Sequence, residues 1–236
     1  MAVMSMTLFA ALRCAGLLLL ALAGAPAPAA PAPQDTLAQR LQACTVCHGA
    51  EGRATPQGYH PRLAGKPADY LYQQLLAFRD GRRPNAVMAG LMAPLSDAYL
   101  REIAAYFATL DLPYPPPARP AASPAQLRRG EQLVRQGDKA RGLPACAACH
   151  GAGLGGRLPG IPGLLGLPPD YLLGQLGAWR VGQRRAQDPD CMAELARRLS
   201  PEDVAAVTRW IAHQPVPPGL QPEAPAPLPE PCGAAP

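Results

Sequence analysis

The chain has 236 residues, with 31 prolines and 23 glycines but only 12 aromatic side chains. So few aromatics would leave two or three ordinary domains with thin cores; either much of the chain is disordered or something other than side chains fills its interior. The formal charge of +5 comes without a dense Lys/Arg run, which excludes the footprint of a nucleic-acid-binding protein.

Nineteen of the 31 prolines crowd into three segments, residues 26–33, 113–124 and 215–236. They mark out two ordered blocks, 34–112 and 123–214, with a linker at 113–122 and a tail at 215–236. Residues 1–29 read as a secretory signal. Arg13 precedes an apolar run from Cys14 to Ala25, and small residues follow at Ala27-Pro28-Ala29. The run is short for a membrane span; the alternative is an uncleaved anchor. Export implies an oxidising compartment, a bacterial periplasm.

In the first block, Thr36 with Gln39 resembles a capping box opening a helix that runs into Cys44. Cys44-Thr45-Val46-Cys47-His48 follows. Pro67 fits the first position of a helix over Ala68 to Asp80, stopped by Gly81. Ser96 caps a third helix with Leu100, Ile103, Ala104 and Phe107 on one face. In the second block, Ser123-Pro124-Ala125-Gln126 is a capping box, and Cys146-Ala147-Ala148-Cys149-His150 repeats the cysteine motif. A helix runs from Pro168 to Arg180, ending near Gly182. Ser200-Pro201-Glu202-Asp203 opens the last helix, with Val204, Val207 and Ile211 inward. No segment alternates with period two, so the class is all-α, about three helices per block. The tail after Gln214 reads as disordered by composition, with Cys232 as the reason to doubt it.

C-x-x-C-H is the attachment motif of c-type haem. Two thiols must add to two vinyl groups on one porphyrin edge, and a three-residue spacing on a helical turn puts them on one side. The histidine that follows becomes the proximal iron ligand. Cys44, Cys47, Cys146 and Cys149 are therefore the candidate attachment points of two haem c groups, with His48 and His150 as iron ligands. A thioredoxin-like pair does not need the histidine, and zinc would want four grouped ligands. Two haems would also supply the missing core, and the chain without them should fold poorly.

The motifs lie 102 residues apart, and other matches accompany them. Pro61-Arg62-Leu63-Ala64-Gly65 answers to Pro162-Gly163-Leu164-Leu165-Gly166, Asp69-Tyr70-Leu71 to Asp170-Tyr171-Leu172, Gln74-Leu75 to Gln175-Leu176, and Phe78-Arg79-Asp80-Gly81 to Trp179-Arg180-Val181-Gly182. The chain is a tandem duplication. A sixth iron ligand must recur in both copies. Met88 lies seven residues before Leu95 and Met192 seven before Leu199, which selects these two; Met92 reads as an apolar contact. His60 and His213 have no counterparts and read as surface or satisfied histidines.

On these residues the chain resembles the dihaem cytochrome c4 family, two tandem class I cytochrome c domains, over residues 36–213. The resemblance implies two haem domains facing each other about a pseudo-twofold axis. It also implies that the carbonyls of Pro61 and Pro162 accept a hydrogen bond from the ligand histidines. The expected role is a periplasmic carrier of single electrons between respiratory-chain donors and a terminal oxidase or membrane respiratory complex, with association at a membrane surface left open. The alternatives are the electron-accepting subunit of a dehydrogenase, or a dihaem enzyme such as a peroxidase or thiosulfate-oxidising cytochrome; two equivalent methionines argue against an enzyme. Arg79 and Arg180, at equivalent positions, are candidates for haem propionates or an interdomain contact, against the alternative of two solvated arginines. The proline-rich linker either fixes the domain pairing or merely tethers. Cys191 and Cys232 depart from the pattern. They leave an even pair that a disulfide would use to tie the tail beside the second haem; the alternatives are two separate thiols, or Cys232 pairing with another molecule.

Overall fold

The computed structural model describes residues 35–55, 59–116 and 119–233, so the expected signal at 1–29 lies outside the described residues. Both repeats lie within one compact unit that begins at Arg40. No helix among the described residues is long and apolar enough to cross a membrane.

Thr36 and Gln39 make the anticipated reciprocal bonds, each 3.3 Å, at the start of α1 (Leu37–Arg40). The single helix expected here is broken. Leu41 leaves helical geometry (φ −85°, ψ 3°) and α2 (Gln42–His48) starts after it. Next come α3 (Ala68–Arg79), a short α4 (Ala86–Met92) and α5 (Asp97–Ala108). Pro67 stands just outside α3 with extended ψ rather than at its first position. Gly81 ends the turn after α3 in the left-handed region (φ 72°), where glycine carries no Cβ penalty. Helix α4 has too few turns to show a period; Asn85 caps it, its side chain accepting from Met88 N at 3.0 Å. Leu100, Ile103, Ala104 and Phe107 are all buried on the inner face of α5, as their spacing predicts, and α5 packs on α3.

The second repeat comprises α6 (Pro124–Arg135), α7 (Cys146–His150), α8 (Pro169–Arg180), α9 (Cys191–Arg198) and α10 (Pro201–His213). Pro168 lies outside α8, because the proline after it disfavours helical geometry there. Between α7 and α8, β1 (Gly156–Arg157) pairs antiparallel with β2 (Ile161–Pro162), two residues each and too short to leave an alternating signature. Helices α6 and α10 cross at Gly130. A Cβ there would lie 2.3 Å from the Ala206 carbonyl oxygen and 2.6 Å from Trp210 Cβ. Leu133, Val134, Leu165, Leu172, Val207 and Ile211 form the core beside this crossing.

The linker is pinned rather than loose. Arg62 donates to the Pro113 carbonyl at 3.1 Å and to the Leu112 carbonyl, and its guanidinium lies 4.0 Å from the Tyr114 ring centroid. Tyr114 in turn fills the space where Gly166 of the second repeat lacks a side chain, 2.2 Å from an ideal Cβ.

The tail is ordered, contrary to its composition. Val216 and Leu220 pack against the second core. Glu223 N donates to the Gly156 carbonyl and Leu158 N to the Glu223 carbonyl, both 2.9 Å. Cys232 forms a disulfide with Cys191. Prolines have no N–H to satisfy, so a few anchored residues suffice to hold the segment extended.

Candidate haem sites

Helix α2 carries Cys44, Cys47 and His48, and α7 carries Cys146, Cys149 and His150. The Nδ1 of His48 lies 2.8 Å from the Pro61 carbonyl oxygen, and the Nδ1 of His150 lies 2.8 Å from that of Pro162. A carbonyl only accepts, so Nδ1 carries the proton and Nε2 keeps a free lone pair. Burial pushes both imidazole pKa values down, with the carbonyl bond pulling partly the other way. Both rings are therefore neutral and oriented, as an iron ligand requires. The thiols are shielded as well. Burial raises the pKa of Cys44, that of Cys146 to about 11, and that of Cys149, where the charge of Glu230 adds to it.

The two methionines stand in the first turns of the short capped helices. Met88 is the third residue of α4. Met192 is the second of α9, where Asp190 accepts from Ala193 N at 3.0 Å. The helix starts thus differ by one residue relative to the methionine. Met92 is only 3% exposed and serves the core. His213 is satisfied by the Arg209 carbonyl at 2.8 Å. His60 proves to be a neighbour of the site, its ring 5.7 Å from that of His48 and edge-on; its place directly before Pro61 was the available signal.

Arg79 does not reach across. It binds Asp97 at 2.7 Å and the Leu95 carbonyl at 3.2 Å, at the start of α5 of its own repeat, while Arg180 is exposed. The cross-repeat role falls four residues later. Arg83 donates to Tyr171 Oη (2.8 Å), to Gln175 (2.9 Å) and to Gln74 of its own repeat (2.9 Å). Arg184 mirrors it, donating to Gln74 (2.7 Å) and Gln175 (2.6 Å). Arg83 lies over the Phe78 ring and Arg184 over the Trp179 ring, 4.5 and 3.7 Å from the centroids. Every member has its counterpart one repeat away, the arrangement a pseudo-twofold demands. Arg83 and Arg184 share the repeat offset of the matched segments and lie just past where those end. Lys66 adds a contact without a mirror image: its ammonium donates to the Gly163 carbonyl at 2.8 Å, beside the Pro162 that orients His150.

The cytochrome c family profile matches residues 36–111. The thiosulfate dehydrogenase electron acceptor of Thiomonas intermedia (strain K12) is 39% identical over 197 residues, covering 83% of this chain and 89% of that protein. Cytochrome c4 of Pseudomonas aeruginosa is 37% identical over 174 residues, covering 73% and 84%. The chain belongs to the dihaem cytochrome c4 family. Among solved structures, cytochrome c4 from Pseudomonas stutzeri superposes with a TM-score of 0.63 at 34% identity, over 74% of this chain and 95% of that one. A thiosulfate dehydrogenase from Marichromatium purpuratum superposes with a TM-score of 0.66 at 33% identity, over 73% of this chain but only 36% of that one.

As a member of this family the chain is an electron-transfer protein with two covalent haem c groups, working with redox protein partners. Its own residues fit such groups. Arg62, Lys66, Arg83 and Arg184 are all at most 8% exposed, and none forms a salt bridge among the described residues. Burial with Arg62 nearby lowers the Lys66 pKa to about 7. Buried cations without counter-charge are costly, and haem propionates are anions of the right kind. Trp179 Nε1 and Gln73 Oε1 are buried without a partner, further polar atoms that a bound group could satisfy.

Proposed function

We propose that this cytochrome takes electrons one at a time from a periplasmic dehydrogenase, with thiosulfate dehydrogenase the best-supported donor, and passes them to a terminal oxidase or another respiratory acceptor. Domain 1 spans residues 34–112 and domain 2 residues 123–214. The first haem is attached through Cys44 and Cys47 with His48 and Met88 on its iron, and the second through Cys146 and Cys149 with His150 and Met192. Bound haem supplies a one-electron Fe(III)/Fe(II) couple, which thioether ligation shifts to higher potential than a second histidine would.

The protein supplies orientation and closure. The Pro61 and Pro162 carbonyls fix the imidazole rings and raise their basicity. A methionine in each repeat takes the position that a small substrate would need, which supports a carrier over a dihaem enzyme. The Arg83–Gln175 and Arg184–Gln74 bonds hold the repeats in one arrangement, so a transferred electron meets little reorganisation. The observation that carries the reading is the recurrence of one histidine–carbonyl bond, 2.8 Å long, in both repeats. The donor is supported by likeness to a thiosulfate dehydrogenase electron acceptor along most of both chains. A dehydrogenase releases electrons in pairs, and two one-electron sites match that number.

The test is to mix the oxidised holoprotein with a purified thiosulfate dehydrogenase and thiosulfate and follow the haem absorbance. Both haems are expected to become reduced only when enzyme and thiosulfate are present together. Reduction by ascorbate but not by this couple would reject the donor and leave the carrier.

A further inference from the structure

The second repeat is crossed by the C-terminal tail, from Val216 to Gly233. Glu223 sits on the loop directly after His150: its carboxylate accepts from Gly153 N at 3.2 Å, and an ideal Cβ on Gly151 would lie 2.8 Å from it. A Cβ on Gly155 would lie 2.7 Å from the Gln221 carbonyl and 2.9 Å from Leu220 Cδ1. The glycines of this loop therefore form a seat for the tail. Further along, Glu230 reaches Arg198 at 3.4 Å, while Arg157 joins Glu223 at 3.0 Å and donates to the Cys149 carbonyl at 3.4 Å. The tail then ends at Cys232, bonded to Cys191 next to Met192, and Gly233 N donates to the Pro189 carbonyl at 2.9 Å. It thus leaves the histidine-side loop, passes the second motif cysteine and arrives on the methionine side. The segment joins the surroundings of His150 to those of Met192 past Cys149, along the edge where a haem held by these residues would be attached.

The first repeat has no such segment among the described residues. Val46, Val87 and Leu91 are 81%, 68% and 43% exposed. Of their counterparts, Ala148 is exposed too, whereas Cys191 is held by the tail and Leu195 packs on the second core.

We propose that residues 222–233 are a disulfide-locked cover over the Cys149 edge of the second haem site, confining electron exchange with other proteins to the first repeat. This rests on the reading of both motifs as haem sites. The cover makes the two haems unequal in access while their ligand sets stay the same, so that electrons enter and leave through the first haem and the second holds one behind it.

The test uses the fully reduced holoprotein and a soluble gadolinium chelate. Haem methyl signals are assigned to each site by their contacts with residues of the same repeat, and their relaxation enhancement is measured. Enhancement at the first haem should be several-fold larger than at the second. A chain ending at Gln221, with Cys191→Ala to remove the unpaired thiol, keeps Val216 and Leu220 in the core; its second haem should rise to the level of the first. Equal enhancement in the intact protein would overturn the cover, and so would a second haem that stays shielded in the shortened chain. If the shortened chain fails to fold, the comparison within the intact protein decides. Haem content, counted on the same sample by pyridine haemochrome, separates the two readings. A count other than two would reject the haem sites, whereas two equally accessible haems would reject only the cover.

Discussion

Helix α5 of the first repeat begins at Ser96, with Asp97 61% exposed and bonded to Arg79. Helix α10 of the second begins at Ser200, with Asp203 5% exposed and held between Arg129 and Arg141 at 2.8 Å each. Asp138 binds the same two arginines, at 3.1 and 2.9 Å. The second repeat adds to this a close helix crossing at Gly130, a two-stranded hairpin and the disulfide-bonded tail. Among the described residues, the first has none of these. The histidine–carbonyl bond is the same in both, 2.8 Å long in each. A duplicated haem fold can therefore keep the setting of its histidines fixed while its scaffold diverges, one copy braced by buried ion pairs and a disulfide-bonded tail.

The largest effect on this contrast should come from the disulfide. Cys191→Ala with Cys232→Ala opens a loop of 41 residues' separation and should cost the second repeat about 3–4 kcal/mol, read by denaturant unfolding at the second haem, with the first unchanged. Gly130→Ala forces a methyl against the Ala206 carbonyl and should cost about 2–3 kcal/mol by overpacking, again in the second repeat alone. Asp203→Asn should cost about 2 kcal/mol. Burial pushes the Asp203 carboxyl up, but Arg129 and Arg141 outweigh it and hold it below the usual range. A carboxyl depressed in the folded state stabilises above its unfolded value, about pH 4, and loses that contribution as pH falls through the folded value. Acid titration should therefore weaken the second repeat, and Asp203→Asn should flatten that dependence. The smallest contrast lies in the caps: Ser96→Ala should cost about 1 kcal/mol. Ser200→Ala should cost more, because the Asp203 N–H it would leave without its hydroxyl acceptor is part-buried, whereas the Tyr99 N–H at Ser96 is exposed.

Much of this was legible in the sequence, because haem attachment imposes a fixed spacing and duplication shows every functional residue twice. The motifs and the recurring methionines followed from that, the capped helices with their inner faces from local capping and periodicity, and the histidine–carbonyl bonds from the resemblance to the family. The cross-repeat cluster did not, because Arg83 and Arg184 find their partners 88 to 110 residues away, and no local pattern records which arginine turns across. Arg79, nearer the matched segment, was drawn instead to Asp97. The order of the tail was hidden for a different reason. Proline-rich composition measures the lack of a core, and this segment borrows the core of the second repeat through Val216 and Leu220.

The central claim, two closed histidine–methionine irons in one chain, is tested most directly by paramagnetic proton NMR of the oxidised protein beside its Met88→Ala and Met192→Ala variants. The intact protein should show two iron-shifted methionine methyl signals, and each variant should lose a different one. A variant that keeps both signals would show that its methionine is not an iron ligand and would contradict the equivalence of the two sites.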